Sequence, residues 1–495
     1  MIRRAMAAGL VIEAIYLVAV LGPFSLLANG TALTDLGKLT NYQPIAAALV
    51  TGGLVALFVA YVVALFNAPA GKRAVSIAIG GTVLFSLTLV FLYPATAIDV
   101  YNYAVEGHVA VFQHLNPMVT PPSEVAGDPF VSYAGSWATS PSPYGPIWIL
   151  LSELDALAAG SNIVLAVFLL KALAGVAVAA TTILLAQAFR DHGSRASALA
   201  AILFGWNPLV QLELVGNGHN DAVLTLLVIA ALVFMGTRKP VLSTMSIGAS
   251  VLVKFLTLGA IPLFLMARAM EPSRSRPIRF AHAAISAAIL ISLAIAAYAP
   301  FWSGTVTLQR AQAVDTDYLA SIPALIILLI PSSINWLTYP RLAVLGIVCL
   351  WQANSLRLGQ ANLAQAMSEV FFATVLVAAH FAGWYLPLLV ATVVLSGNRW
   401  LRARVVVFTF TTTLTTPLWA YLYWWNQNWM SLTAIHLIVV PLTFVPPLIA
   451  ALLAMLRPTQ PARQSKSDLS TYLDAIYTEI RNAYLTARSV VGSSS

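Results

Sequence analysis

The stretch YPATAIDVYNYAVEGHVAVFQHLNPMVTPPSEVAGDPFVSYAGSWATSPSPYGPIW, Tyr93 to Trp148, decides how this chain is read. It carries Asp99, Glu106, His108, His114, Glu124 and Asp128 and no Lys or Arg, whereas the sequence on both sides is one apolar run after another. Read as non-helical polar chain, it cannot lie in hydrocarbon, where each unpaired backbone group costs several kcal/mol. It therefore belongs on a wet face of a membrane, and the side on which it lies bears directly on function.

The surrounding composition supports a membrane setting. The chain is 59% hydrophobic and 9% charged, with a mean hydropathy of +0.84, whereas soluble domains carry roughly a quarter charged residues. Apolar runs near the ~20 residues needed to span recur at about Ala5–Ala28, Pro44–Phe66, Val75–Tyr93, Ile163–Gln187, Ala198–Leu212, Ala222–Met235, Phe280–Trp302, Trp336–Leu350, Leu363–His380, Trp384–Leu395, Val405–Leu422 and Met430–Leu456. The expected fold class is all-α, a polytopic membrane protein of about twelve crossings. Ala5–Ala28 is too long for a signal-peptide core and reads as a retained first helix.

Lys and Arg accumulate in cytoplasmic connections. With the N-terminus inside, 21 of the 26 basic residues fall on the cytoplasmic side, among them Arg3, Arg4, Lys72, Arg73, Arg238, Lys239 and Arg399. Lys38, Arg310 and Arg341 fall outside, and Lys171 and Lys254 fall within apolar runs. This parity puts the Asp99 loop on the outer face and both termini in the cytoplasm, as expected of a multi-pass membrane protein. The net charge of +8 is then an orientation signal. No basic module interleaved with aromatics points to nucleic acid. The single cysteine, Cys349, forms no intrachain disulfide.

Two stretches do not read as simple crossings. Pro146–Ala158 reads as an interfacial helix on the outer face. Leu242–Ala267, interrupted at Lys254 and Pro262, reads as two short helices in a re-entrant hairpin. Residues 1–457 form the transmembrane unit, with an outer catalytic loop at 94–146, and residues 458–495 a cytoplasmic tail in which Leu469, Tyr472, Leu473, Ile476, Ile480 and Tyr484 recur at helical spacing.

Three clusters share the expected outer face. Asp99 follows the helix-stopping Pro94, where it can act as a base toward a bilayer-anchored substrate or cap the next helix. Glu213 and Gly216-Asn217-Gly218-His219-Asn220-Asp221 can grip sugar hydroxyls or phosphate oxygens, or close a tight Asn/Asp turn. His380 and Trp384-Tyr385 lie at a third outer boundary, where aromatic belt residues are common. Arg310, with Asp315 and Asp317, supplies an outer cation. Of the ionisable groups in apolar runs, which also include Glu13 and Glu369, Lys171 can snorkel and Lys254 is placed to pair with a buried carboxylate or a lipid phosphate.

These residues resemble a known family. An Asp soon after a span, then Asn116-Pro117 and Ser142-Pro143-Tyr144-Gly145-Pro146 leading into an interfacial helix, is similar to the GT-C superfamily of integral-membrane glycosyltransferases. Trp206-Asn207-Pro208 with Gly218-His219-Asn220-Asp221, Lys254 and Trp384-Tyr385 resembles the bacterial polyprenol-phosphate-mannose-dependent mannosyltransferases, over roughly residues 75 to 400. The resemblance implies transfer of a hexose, mannose foremost, from a polyprenyl-phosphate donor to a glycolipid or glycan acceptor. It makes Asp99 the general base of one inverting displacement. Substrate contacts are then expected from Tyr101, Tyr103, Tyr144, Asn207, Glu213, His219, Asn220, Asp221, Lys254, Arg310, His380, Trp384 and Tyr385, with membrane lipids around the protein. Asp99-Val100-Tyr101 lacks the Asp-x-Asp metal arrangement of some superfamily members, so no metal or other cofactor is expected. The competing readings are a lipid-linked sugar flippase or other transporter, and a polysaccharide polymerase or ligase.

Overall fold

The structure is a computed structural model that describes residues 2–270, 276–308, 318–424 and 430–455. The Arg310, Asp315 and Asp317 loop and the helical periodicity of the 458–495 tail lie outside the described residues.

The chain is an all-α polytopic membrane protein. Among the described residues the only β pairing is two isolated bridges, Ser25 with Leu92 and Leu319 with His380. Each of the apolar runs read from the sequence falls on helix over most of its described length. They are not twelve equal crossings. Six helices are long and apolar enough to span, namely Ile2–Leu21, Pro44–Phe66, Ile163–Ala188, Pro277–Phe301, Arg399–Tyr423 and Leu432–Leu453, and a pair bent by 50°, Ser194–Gly205 with Pro208–Gly216, makes up to seven. Ala74–Leu89, Asp221–Gly236, Pro240–Val253 and Leu363–Val377 are shorter. Their runs are cut by turns, and several of those turns hold the polar residues of the candidate site.

The bend has a visible cause. Trp206 stops the first helix and its Nε1 donates to the Ala78 carbonyl at 2.7 Å. Its indole fills space opposite two glycines: a Cβ at Gly9 would stand 2.9 Å from it, and one at Gly81 2.5 Å. Asn207 then caps the second helix, its Oδ1 accepting from Leu209 and Val210, with Pro208 preset at the first helical position.

The 93–148 stretch departs from its reading as a non-helical loop, because it contains the helix Asp99–Phe112. A helix satisfies its own backbone, which removes the objection to burial. Asn102, Glu106 and His108 accordingly face protein and are buried. Helix Pro146–Ala159 packs on it, turning Trp148, Ser152 and Asp155 inward and Leu150, Leu154 and Leu157 outward, as a helix lying against lipid would. The remaining loop is tied down by His108 Nδ1, 2.7 Å from Asp128 Oδ2.

Three intramembrane charges find partners. Glu13 accepts from Thr88 at 2.5 Å, and Glu369 pairs with Arg404 at 3.0 Å. Lys171 does not snorkel: it is fully buried, with its Nζ on the carbonyl of Leu92, just beyond the end of the Ala74–Leu89 helix.

Candidate functional site

Asp99 opens the Asp99–Phe112 helix, but it is not the cap. Ile98 holds that position, with no side-chain hydrogen bond to the helix end. The carboxylate therefore keeps its oxygens for other partners while standing where the helix N-terminus favours negative charge. It is 7% exposed, and the Tyr144 hydroxyl donates to its Oδ1 at a long 3.3 Å. Burial first, then nearby groups including the Asp99 carboxylate, push the hydroxyls of Tyr103 and Tyr144 well above the ordinary phenol range. Tyr144 thus remains a donor at any working pH.

Tyr144 is held in place by a close approach of two chain segments. The Gly145 N–H donates to the Val253 carbonyl at 3.0 Å, and a Cβ at 145 would lie 2.1 Å from the Leu252 carbonyl oxygen. Only glycine permits that contact. Directly after Val253 the helix Pro240–Val253 breaks, and Lys254 is extended at φ −159° and ψ 134°. Pro262 starts the following Ile261–Ala269 helix and takes no part in the break. The break swings the Lys254 ammonium to 5.9 Å from the Tyr144 ring centroid, 5.1 Å from that of Tyr385 and 2.7 Å from Asp221 Oδ2. Asp221 is the buried carboxylate with which Lys254 pairs.

The Gly-His-Asn-Asp turn completes the group. Gly218 has a φ of +77°, and a Cβ there would meet Lys171 and Val100 at under 3 Å, so the turn lies against the base of the Asp99 helix. His219 stacks on Trp384, with ring centroids 4.1 Å apart. Its Nε2 is 3.5 Å from Glu213 Oε2, but neither ring nitrogen makes a hydrogen bond. Glu213 accepts from Asn217 at 2.9 Å, and Asn217 bonds Thr96, three residues before Asp99. Asp221 Oδ1, both polar atoms of the Asn220 side chain and the Tyr103 hydroxyl are also buried without a partner. Buried polar atoms are nearly always satisfied, so this concentration of unsatisfied ones marks a place suited to a polar ligand.

Part of the chain matches known proteins. Residues 5–270 match the MptA_B family, described as "Alpha-(1->6)-mannopyranosyltransferase, N-terminal domain". The chain belongs to the MptA_B family. Among its relatives, the alpha-(1->6)-mannopyranosyltransferase A of Mycobacterium tuberculosis is 25% identical over 265 residues, covering 52% of this chain and 48% of that protein. The alpha-(1->6)-mannopyranosyltransferase A of Corynebacterium glutamicum is 23% identical over 174 residues, 35% of each chain. A probable alpha-(1->6)-mannopyranosyltransferase of Mycolicibacterium smegmatis is 28% identical over 155 residues, covering 30% of this chain and 27% of that protein. The chain thus spans about half, or less, of the length of these curated relatives. No solved structure matches it. The MptA_B match contains Asp99, Tyr144, Glu213, His219, Asp221 and Lys254, while Trp384 and Tyr385 lie beyond it.

Not every residue implied by the resemblance joins the group. Tyr101 donates to the Gly30 carbonyl at 2.9 Å and stacks on Tyr133. Asn207 is wholly buried, bonding Thr409 at 3.2 Å in addition to its cap. His380 lies in the extended stretch bridged to Leu319. Conversely, the sequence reading left Thr96 and Glu106 out of the site. Glu106 Oε1 accepts from Asn102 at 2.8 Å. Burial raises its carboxyl to about 8, assisted by Asp99 and opposed by Ser142 and Asn102. The signal was there: Asp99, Asn102 and Glu106 recur at helical spacing.

Proposed function

We propose that this protein transfers a mannosyl residue from a polyprenyl-phosphate donor to a glycolipid or glycan acceptor, at the outer face of a bacterial plasma membrane, with Asp99 as general base and without a metal. The observation that carries this reading is the arrangement around one phenol. Tyr144 touches the Asp99 carboxylate with its hydroxyl, at 3.3 Å, and the Lys254 ammonium with its ring, at 5.9 Å from the centroid. A base and a cation therefore stand on either side of one phenol, with aromatic rings and unsatisfied polar atoms close by.

An inverting displacement needs its two helpers so disposed, because the nucleophile and the leaving group occupy opposite faces of the anomeric carbon. Asp99 takes the acceptor hydroxyl proton as the new C–O bond forms. The anomeric C–O bond to phosphate breaks, and the lipid phosphate leaves as a monoester whose added charge is met by the ammonium hydrogens of Lys254 that Asp221 does not use. Trp384, Tyr385 and His219 provide flat surfaces for the sugar, and Asn220 and Glu213 partners for its hydroxyls. The MptA_B relatives named above support mannose as that sugar.

Purified protein in lipid nanodiscs, supplied with radiolabelled polyprenyl-phosphate-mannose and a membrane lipid extract, tests the proposal. Asp99→Asn lowers turnover by about 10²–10⁴-fold, the ordinary contribution of a positioned base, while donor binding stays within about twofold, because Asn keeps the shape and removes only proton-accepting power. Retention of more than about a tenth of wild-type turnover would remove Asp99 from the reaction.

A further inference from the structure

Glu106 is a buried acid that the displacement described above leaves without a task. It lies two helical turns beyond Asp99 on the same face of the Asp99–Phe112 helix, and is 2% exposed. The helix is packed tight there, since a Cβ at the neighbouring Gly107 would lie 2.1 Å from the Ser152 carbonyl oxygen of the helix Pro146–Ala159. Asn102 Nδ2 donates to Glu106 Oε1 at 2.8 Å, and the buried Ser142 side chain shares a hydrogen bond with the same carboxyl. Ser142 is the foot of the segment that reaches the base. Its N–H donates to the Pro117 carbonyl at 2.8 Å, its Oγ accepts from the Tyr144 N–H at 3.3 Å, and the Tyr144 hydroxyl then meets Asp99 Oδ1. Asp99 and Glu106 are thus joined twice, once along the helix and once through Ser142 and Tyr144.

We propose that Glu106, as a carboxylic acid, is a positioning residue for transfer: through Ser142 it holds the segment that sets the Tyr144 hydroxyl against Asp99, and losing its proton disables the site. The inference rests on the transfer reading above and adds the regulation of that site by pH. A neutral acid can donate to Ser142 as well as accept from Asn102, whereas a carboxylate only accepts. Ionisation therefore turns the Ser142 hydroxyl round toward Glu106. It also sets a second negative charge near a base that must itself stay charged, at a site that receives a phosphate. The surroundings favour the acid. Burial raises the Glu106 carboxyl to about 8, and the Asp99 charge acts in the same direction. Tyr103 and Tyr144 face it with hydroxyls that burial also raises. The helix Pro146–Ala159 brings Ser152 and Asp155 inward, and burial lifts Asp155 to about 7. Asp128 is tied to His108, and Glu124 is exposed. Lys171 and Lys254 are committed elsewhere, to the Leu92 carbonyl and to Asp221.

Steady-state transfer by the full chain in nanodiscs, followed from about pH 6 to 9, tests this. In wild type, kcat falls about tenfold between pH 7 and 9, the share of acid that a group titrating near 8 loses over that span. Glu106→Leu, which cannot bond Ser142, loses at least about tenfold in kcat at pH 7, while KM for the donor stays within about twofold because Glu106 does not touch it. Glu106→Gln, neutral at every pH and able to donate to Ser142, recovers most of that loss and keeps its kcat up to about pH 9. An alkaline fall in Glu106→Gln equal to that of wild type would overturn the proposal, as would a flat wild-type profile or full turnover in Glu106→Leu. If Glu106→Leu does not fold, the profile of Glu106→Gln decides alone. Infrared difference spectra read the acid without catalysis: wild type loses a carboxylic C=O band near pH 8 that Glu106→Gln lacks. That band in a protein that transfers no sugar would sink the transferase reading alone, and its absence from wild type would sink the proposal whatever the activity.

Discussion

Replacing Lys254 by Met separates the two tasks assigned to its ammonium. The Nζ atom is 2.7 Å from Asp221 Oδ2, with the side chains 16% and 1% exposed, and the other Asp221 oxygen has no partner. Removing the cation leaves that carboxylate buried and uncompensated. Breaking a buried pair in this way costs about 3–5 kcal/mol, and the partial exposure of the lysine brings the expectation down to roughly 2–3 kcal/mol. Turnover falls as well, by about 10²–10³-fold, the usual loss when one donor to a developing negative charge is deleted. In Lys254→Met/Asp221→Asn the stranded charge is gone, so thermal stability in nanodiscs returns most of the way to wild type. Transfer does not return, because nothing replaces the ammonium at the leaving phosphate. If the double variant recovers both stability and turnover, Lys254 serves only to neutralise Asp221, and the cation argument for the donor phosphate fails. An unchanged melting temperature in Lys254→Met alone would refute the buried-pair estimate.

Gly145→Ala should cost at least about 1–3 kcal/mol by overpacking, because its Cβ would lie 2.1 Å from the Leu252 carbonyl oxygen; near-wild-type melting and turnover would show that the Tyr144–Lys254 junction yields easily. Glu106, its carboxyl raised by burial to about 8 from an ordinary 4.5, binds a proton in the fold that the unfolded chain has released. Stability therefore falls as pH rises from about 4.5 through 8, by at most about 1.4 kcal/mol per pH unit from this group. Melting curves of Glu106→Gln across that range should be flatter than those of wild type, and parallel curves would refute the assignment. Excess EDTA should leave transfer unchanged, since no three His, Cys, Asp or Glu side chains among the described residues gather where they could hold an ion; activity lost to the chelator and restored by Mg²⁺ or Mn²⁺ would contradict this.

Apolar length is what the sequence displays most openly, and Pro44–Phe66 is a helix between the very residues its apolar run suggests. The Asp99–Phe112 helix is harder to read, because its buried face carries Asn102, Glu106 and His108 and so lacks the apolar stripe by which helices are recognised. The candidate site divides along similar lines. Asp99, Tyr144, His219, Asp221, Lys254, Trp384 and Tyr385 stand out by residue type, but their meeting depends on backbone contacts such as Gly145 on Val253 that periodicity does not encode. Asn207 carries the same polar group as Asn220 and looks equally suited to a ligand. Its conformation at a helix start, with Pro208 following, directs that group to the backbone instead.

The seat of Trp206 has a consequence for descent. Its indole occupies volume that Gly9 and Gly81 leave vacant on two different helices. Neither glycine can gain a methyl group while the indole remains, and a smaller residue at 206 would open a void shared by all three segments. These positions, separated by up to 197 residues in the chain, therefore behave as one heritable character. A lineage that enlarges residue 9 or 81 must trim residue 206 in the same step or pass through a destabilised intermediate. Reading three letters in a distant relative would thus tell whether its helix still bends where this one does.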